Sequence, residues 1–303
     1  MSTAIRAGRR TVEIPRPEKV LFAPGINKMD LANYYARVSE AMLPHLADRP
    51  LNLERYPDGI EGHRIIQQHA SGHFPSWVRR VEVPARNGTV EHVVARDAAT
   101  LVYLASQACI TVHRWLSRSD RLDRPDQLVI DLDPSNGSVA GVRRAARIIG
   151  ELMSELGLVP WLMSTGSRGY HVVVALQRRA DSDSVRAFAR DVAQLAAARE
   201  PRLFTTEQRK AKREGKILLD VMRNAYGHTS VAPYSVRPRP NAPVATPLQW
   251  DELDDPGARP DLWTLASVPE RLKERGDPWR RLAGQAQTLA AARRQLDAAL
   301  REV

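Results

Sequence analysis

The stretch "LVIDLDPSNG", residues 128–137, constrains this chain more than any other. Leu128, Val129, Ile130 and Leu132 read as a buried strand, yet Asp131 and Asp133 interrupt them. Side chains on a strand alternate faces, so the two aspartates project together while Ile130 and Leu132 pack on the other side. Two neighbouring carboxylates repel, and burying them uncompensated is expensive. A divalent cation resolves that conflict, and oxygen-only donors suit Mg²⁺ or Mn²⁺ rather than zinc. Pro134 ends the strand and sets the pair at its C-terminal edge, where α/β folds place their sites. On these ten residues alone, a wet edge strand or an aspartate capping the next turn accounts for the pattern equally well, because D-x-D is short and common. Asp220 shifts that balance. In "KILLDVMRN" it too interrupts an apolar strand, and a third carboxylate completes a site for two cations.

The loop "STGSRGYH", residues 164–171, supplies complementary chemistry. Gly166 and Gly169 permit close backbone approach to a ligand. Thr165 offers a hydroxyl, Arg168 a fork for phosphate oxygens, and His171 a further donor. An ordinary hairpin turn with one exposed arginine is the alternative, but beside an acidic pair the loop fits a triphosphate–metal site. His113 closes an apolar run and, on composition alone, reads as a satisfied core histidine. "RPRP" at 237–240 places Arg237 a short distance beyond the third acidic strand and also reads as a solvated basic turn.

Composition narrows the partners. Forty-five Lys and Arg face 35 Asp and Glu, a net charge of +10, which favours a polyanion because neutralising phosphates releases counterions. Cys109 is the only cysteine, so neither an internal disulfide nor a cysteine zinc site is available, and a reducing, cytoplasmic setting fits. "MSTAIRAGRR" lacks the apolar core of a secretory signal, and no run approaches the ~18 apolar residues of a membrane helix.

The pattern predicts a disordered basic arm over 1–12 and a single mixed α/β domain over 13–303, with a small N-terminal lobe and C-terminal helices from about 266. Helices are expected over 28–46 with Asp30 as N-cap, over 98–116, and from Ser138 to a stop at Gly157. A further helix is expected over 182–199. The last forty residues read as helical, with Leu289, Leu296, Leu300 and Val303 on one face.

At this point the motifs resemble a known family. "KVLFAPGINKMDLANYYARVSEAMLPHLADRPL", "VIDLDPSNG", "STGSRGYHVVV" and "ILLDVMRNAYGHTSVAPYSVRPRPNAPVATPLQWDEL" look like the primase–polymerase domain of bacterial ligase D, in register from about residue 16 to 265. The resemblance implies an archaeo-eukaryotic primase-like core, a central β-sheet flanked by helices. It implies that Asp131, Asp133 and Asp220 bind two cations, Mn²⁺ or Mg²⁺. It sets Thr165, Arg168, His171, Arg223 and Arg237 around the incoming triphosphate, and assigns His113 to the nucleotide site rather than the core. Arg16, Lys19 and Lys28 correspond to a pocket for a DNA 5′-phosphate, and Ile65 and Ile66 to a pair that meets the template. Thr165 stands where the family usually has serine, Arg16 where it has asparagine, and Ile65–Ile66 where it commonly has two phenylalanines. Aliphatic side chains lack aromatic stacking, worth about 1–3 kcal/mol per base.

The expected function is therefore a template-dependent nucleotidyltransferase that adds nucleotides, ribonucleotides by preference of the family, to a primer 3′-hydroxyl. Its partners would be gapped or 3′-overhanging DNA and nucleoside triphosphates, with a separate DNA ligase and an end-binding protein, near the bacterial nucleoid. No K-x-D-G adenylation motif of a ligase occurs in the 303 residues, which suggests a polymerase without a ligase attached. Two rivals come from other classes: a quiet DNA end-bridging module, and a D-x-D glycosyltransferase or phosphatase. The net charge and the 5′-phosphate lysines argue against the latter.

Overall fold

Ile110, Thr111 and Val112 form a β-branched run with no charged residue, the mark of a strand covered on both faces. Such strands need neighbours on each side, and two interior strands organise two sheets. The computed structural model describes residues 2–85 and 88–302 and divides into two units. The first takes residues up to Asp120, with Thr229–Thr246 and Trp263–Asp277. The second takes Arg121–His228, Pro247–Leu262 and the residues from Pro278. Both mix helices with sheet, as expected, but the chain forms two units where the sequence suggested one with a small N-terminal lobe.

In the first unit the sheet order is Thr229–Val231, Cys109–Trp115, Leu51–Arg55, Gly88–Val93, Arg80–Ala85, with Ile65–Gln67 also paired to Leu51–Arg55. The Lys28–Leu46 helix buries Leu31, Tyr34, Tyr35, Val38 and Met42. Its N-cap is Asn27 rather than Asp30. Asp30 is instead the third helical residue, and each side chain accepts from the other's backbone N–H, at 3.0 and 2.8 Å.

Three further expectations are corrected. The 1–12 arm forms a β-hairpin, Ser2–Ala7 with Arg10–Pro15. Val12 and Ile14 lie two apart and enter the core, so alternation outweighs the arginines around them. The 98–116 helix stops at Ser106. Ala108 takes a left-handed turn (φ 56°), and Cys109–Trp115 continues as a strand, because β-branched residues pack better on a pleated surface than around a helix. The C-terminal forty residues are not one helical run. Pro269 sits in the first turn of the short Val268–Arg275 helix, Gly276 and Pro278 follow it, and Ala290–Ala299 is separate. Leu296 is buried, Leu289 and Leu300 are half-buried, and Val303 lies outside the described residues.

The second unit holds the opening stretch. Gln127–Pro134 is interior to the order Phe204–Thr205, Ile217–Asp220, Gln127–Pro134, Tyr170–Ala175, Pro160–Ser164, Thr246–Leu248. The Val139–Glu155 helix starts at Ser138, whose hydroxyl accepts from Gly141 N–H, and Gly157 (φ 74°) follows its end, both as predicted. The Ser182–Arg199 helix also spans the expected residues. Gly169 sets the closest approach in this sheet: a Cβ there would lie 1.9 Å from the Leu132 carbonyl oxygen, between the two aspartates. Gly169→Ala should therefore cost at least about 3 kcal/mol in urea unfolding. Gly72→Ala, which meets nothing within 4 Å, should stay within about 0.5 kcal/mol of wild type. Equal effects at the two positions would contradict the close packing of Gly169 on Leu132.

Candidate functional site

Strand register builds the acidic centre of the second unit. Antiparallel pairing sets Asp131 opposite Asp220 on one side and opposite His171 on the other. Directly opposite residues share a face, as do residues two apart, so Asp131, Asp133, Asp220 and His171 all project the same way. Like charges placed opposite one another destabilise a sheet, and basic side chains surround these. His171 Nε2 lies 3.5 Å from Asp131 Oδ1, and Arg223 Nε lies 3.3 Å from Asp131 Oδ2. Arg168 donates to Asp133 Oδ1 at 3.2 Å, and Arg213 to Asp133 Oδ2 at 2.9 Å. Burial pushes the Asp131 carboxyl upward, but His171 and Arg223 outweigh it and hold the group down at about 2.

Two residues of this centre escaped the sequence reading. Arg213 belongs to the basic run "RKAKREGK", where it looks like any solvated cation. In the fold it is buried, and it also donates to the carbonyls of Glu207 and Gln208 at 3.1 and 2.8 Å. Asn224 lies in the 3₁₀ turn Met222–Asn224, where the chain leaves the sheet after Asp220. Its amide takes the place of the departed strand. Oδ1 accepts from Val129 N–H at 2.9 Å, and Nδ2 donates to the carbonyls of Val129 and Val221 at 2.7 and 2.9 Å. No periodicity or charge pattern announces such a side chain.

Thr165 lies at the base of the glycine loop and bonds across it. The hydroxyl donates to the Gly169 carbonyl at 2.9 Å, bracing the glycine loop, and the residue is buried. Among the described residues, no three His, Cys, Asp or Glu side chains converge tightly enough to hold a metal ion. The donor chemistry nevertheless fits a hard divalent cation: three carboxylates share one face, Asp131 is ionised, and arginines and a histidine supply the countercharge.

The other expected site residues lie in the first unit. Lys28 is buried and donates to the Pro15 carbonyl at 2.8 Å. Its ammonium is held below its ordinary value by burial first, then by the charges of Arg16 and Lys19. Lys19 pairs with Asp58 at 2.8 Å. Ile65 and Ile66 form the Ile65–Gln67 strand, and Ile66 is 51% exposed, unusual for an isoleucine. His113 is on the Cys109–Trp115 strand and faces Glu54 rather than an apolar core. Arg237 follows Thr229–Val231, its backbone N–H donating to the Pro243 carbonyl at 2.7 Å. Among the described residues, no helix is long and apolar enough to cross a membrane.

Comparison with known proteins points one way. The family model of the LigD primase–polymerase domain matches residues 27–279. The multifunctional non-homologous end joining protein LigD of Pseudomonas aeruginosa is 36% identical over 300 residues, 97% of this chain and 35% of that protein. The bifunctional non-homologous end joining protein LigD of Bacillus subtilis is 30% identical over 265 residues, 86% of this chain and 42% of that protein. The chain thus spans well under half the length of these curated relatives. A solved structure, the polymerase domain from Mycobacterium tuberculosis ligase D in complex with DNA, superposes with a TM-score of 0.85 at 32% identity, covering 91% of this chain and 99% of that one.

Two outcomes follow from the geometry. Asn224→Ala should destabilise the protein by about 2–4 kcal/mol in urea, because it strands buried backbone groups. Asn224→Asp should not rescue it, since a carboxylate cannot donate to Val129. The Asp131 carboxyl, held at about 2 against an ordinary 3.8, adds stability that is full above pH about 4 and disappears as pH falls towards 2. The stability difference between wild type and Asp131→Asn should shrink through that window. A pH-independent difference would contradict the ion pairs.

Proposed function

The chain belongs to the LigD primase–polymerase domain family, and on that premise we propose that it extends a primer 3′-hydroxyl on a DNA template during gap filling or end joining. The observation that carries this reading is the register of Asp131 against Asp220 with Asp133 on the same face. Asp131, Asp133 and Asp220 would hold two divalent cations, Mn²⁺ or Mg²⁺, which when bound lower the pKa of an attacking hydroxyl and neutralise a triphosphate.

The remaining roles belong to the protein's own side chains. Arg168, His171 and Arg223 stand beside the carboxylates and are donors for the triphosphate, with Arg237 and His113 as further nucleotide contacts. Thr165 holds the glycine loop in shape through Gly169. The primer 3′-oxygen attacks the α-phosphorus, the bond to the bridging oxygen breaks, and pyrophosphate leaves. Arg16, Lys19 and Lys28 form a cationic pocket suited to a 5′-phosphate: burial chiefly, and the charges of Arg16 and Lys19 next, hold the Lys28 ammonium down, and an anion there would offset both. The exposed Ile66, with Ile65, offers the template an apolar contact. The substrates are gapped or 3′-overhanging DNA and nucleoside triphosphates, ribonucleotides preferred. A DNA ligase and an end-binding protein would complete the repair on chromosomal DNA in the cytoplasm.

Primer extension on a gapped duplex carrying a downstream 5′-phosphate tests the proposal, run with Mn²⁺ or Mg²⁺ and with ribo- or deoxynucleotides. Wild type should add template-directed nucleotides. Asp131→Ala should lose about 10³-fold or more in rate while binding the gapped DNA within about threefold of wild type. Binding by wild type without any addition would favour an end-bridging module. Extension by Asp131→Ala near the wild-type rate would overturn the assigned centre.

A further inference from the structure

A buried carboxylate in the first unit takes no part in the roles described so far. Glu54, on the Leu51–Arg55 strand, is 4% exposed. Its Oε1 accepts from the Tyr56 hydroxyl at 2.9 Å and faces Arg64 Nε at 2.8 Å. Its Oε2 lies 3.3 Å from His113 Nε2. Register explains the meeting. His113 is opposite Asn52, two residues before Glu54, while Ile66 is opposite Glu54 on the other side. Glu54, His113 and Ile66 therefore share one face, with Glu54 between the strand that carries the histidine and the strand that carries the exposed isoleucine.

Burial works against an ionised carboxylate here, and an apolar residue would fill the position at lower cost. The hydrogen bonds of His113 and Tyr56, and the charges of His113 and Arg64, outweigh that penalty and keep the Glu54 carboxyl below its ordinary value. The same contact pushes the Tyr56 hydroxyl up to about 12, burial being the larger cause. An ionised carboxylate only accepts hydrogen bonds, so the facing ring nitrogen, Nε2, must carry the proton.

We propose that Glu54 is a positioning residue for nucleotide addition: it locks the His113 ring in the Nε2–H form and ties that ring to the Ile65–Gln67 strand. The inference rests on the reading of His113 as a nucleotide contact. Glu54 acts only through the histidine, so its removal should alter nucleotide handling and leave the DNA grip intact. Arg64 is more than half exposed and contributes little energy of its own; its part is to fix the carboxylate's other oxygen.

The test measures nucleotide KM, kcat and gapped-DNA Kd for wild type, Glu54→Gln, His113→Ala and the double variant. Glu54→Gln keeps the shape and removes the charge. It should raise nucleotide KM about tenfold, with gapped-DNA Kd within about twofold. In the His113→Ala background, Glu54→Gln should add less than about twofold. Full additivity, or no effect of Glu54→Gln where His113→Ala raises KM, would overturn the inference while leaving the histidine's role standing. An unchanged KM in His113→Ala would remove that role, and the inference with it. A second measurement needs no substitution: nitrogen-15 NMR of the wild-type ring should find the His113 Nε2 protonated, and a ring protonated at Nδ1 alone would overturn the proposal.

Discussion

The direct opposition of Asp131 and Asp220 across two paired strands is the constraint on which the second unit depends. Left alone, two carboxylates at that spacing oppose the pairing that brings them together. The surroundings answer from four segments. His171 comes from the neighbouring strand, Arg223 from the turn after Asp220, and Arg168 and Arg213 from two loops that converge on Asp133. The sheet is thus held by cations around an anionic core, and a polyphosphate substrate would find donors already aimed at the same small region.

Such an arrangement is useful only if the register cannot slip, since a shift of one residue would turn both aspartates into the apolar layer. Two backbone devices prevent it. Gly169 lets the glycine loop close against the Leu132 carbonyl, an approach that any side chain would block. Asn224 holds Val129 with its amide where the partner strand has already turned away. Both act within three residues of Asp131, so the rigidity sits where the geometry of the carboxylates is set. Hydrogen bonds to backbone do this better than apolar packing, because they fix direction as well as distance.

In the first unit the same physics has the opposite sign. Lys28 is a buried ammonium beside Arg16 and Lys19, a cluster whose repulsion an anion would relieve. Glu54 is its counterpart, a buried carboxylate satisfied by a histidine, a tyrosine and an arginine. Buried charges with several partners of fixed geometry are uncommon, and these two lie on or beside residues that the resemblance marks for ligand contact, Lys28 itself and His113 beside Glu54.

Much of this was legible in the chain itself. Apolar alternation located the Gln127–Pro134 strand, the break at Asp220 marked its acidic neighbour, and Ser138 and Gly157 bounded the helix between strands, because period and capping are local properties. Local signals also misled. The run through Cys109–Trp115 has the hydrophobicity of a helix and becomes a strand, since its partners on both sides lie far away in sequence. The hairpin at residues 2–15 looked like a basic arm because only two of its residues, Val12 and Ile14, anchor its second strand in the core. The sequence by itself determined which residue types could gather phosphate and metal chemistry, and in which strands they stand. Only the tertiary structure decided that Arg213, Asn224 and Glu54 support them. Each owes its role to a partner at least 59 residues away, or to a backbone group that no pattern along the chain can reveal.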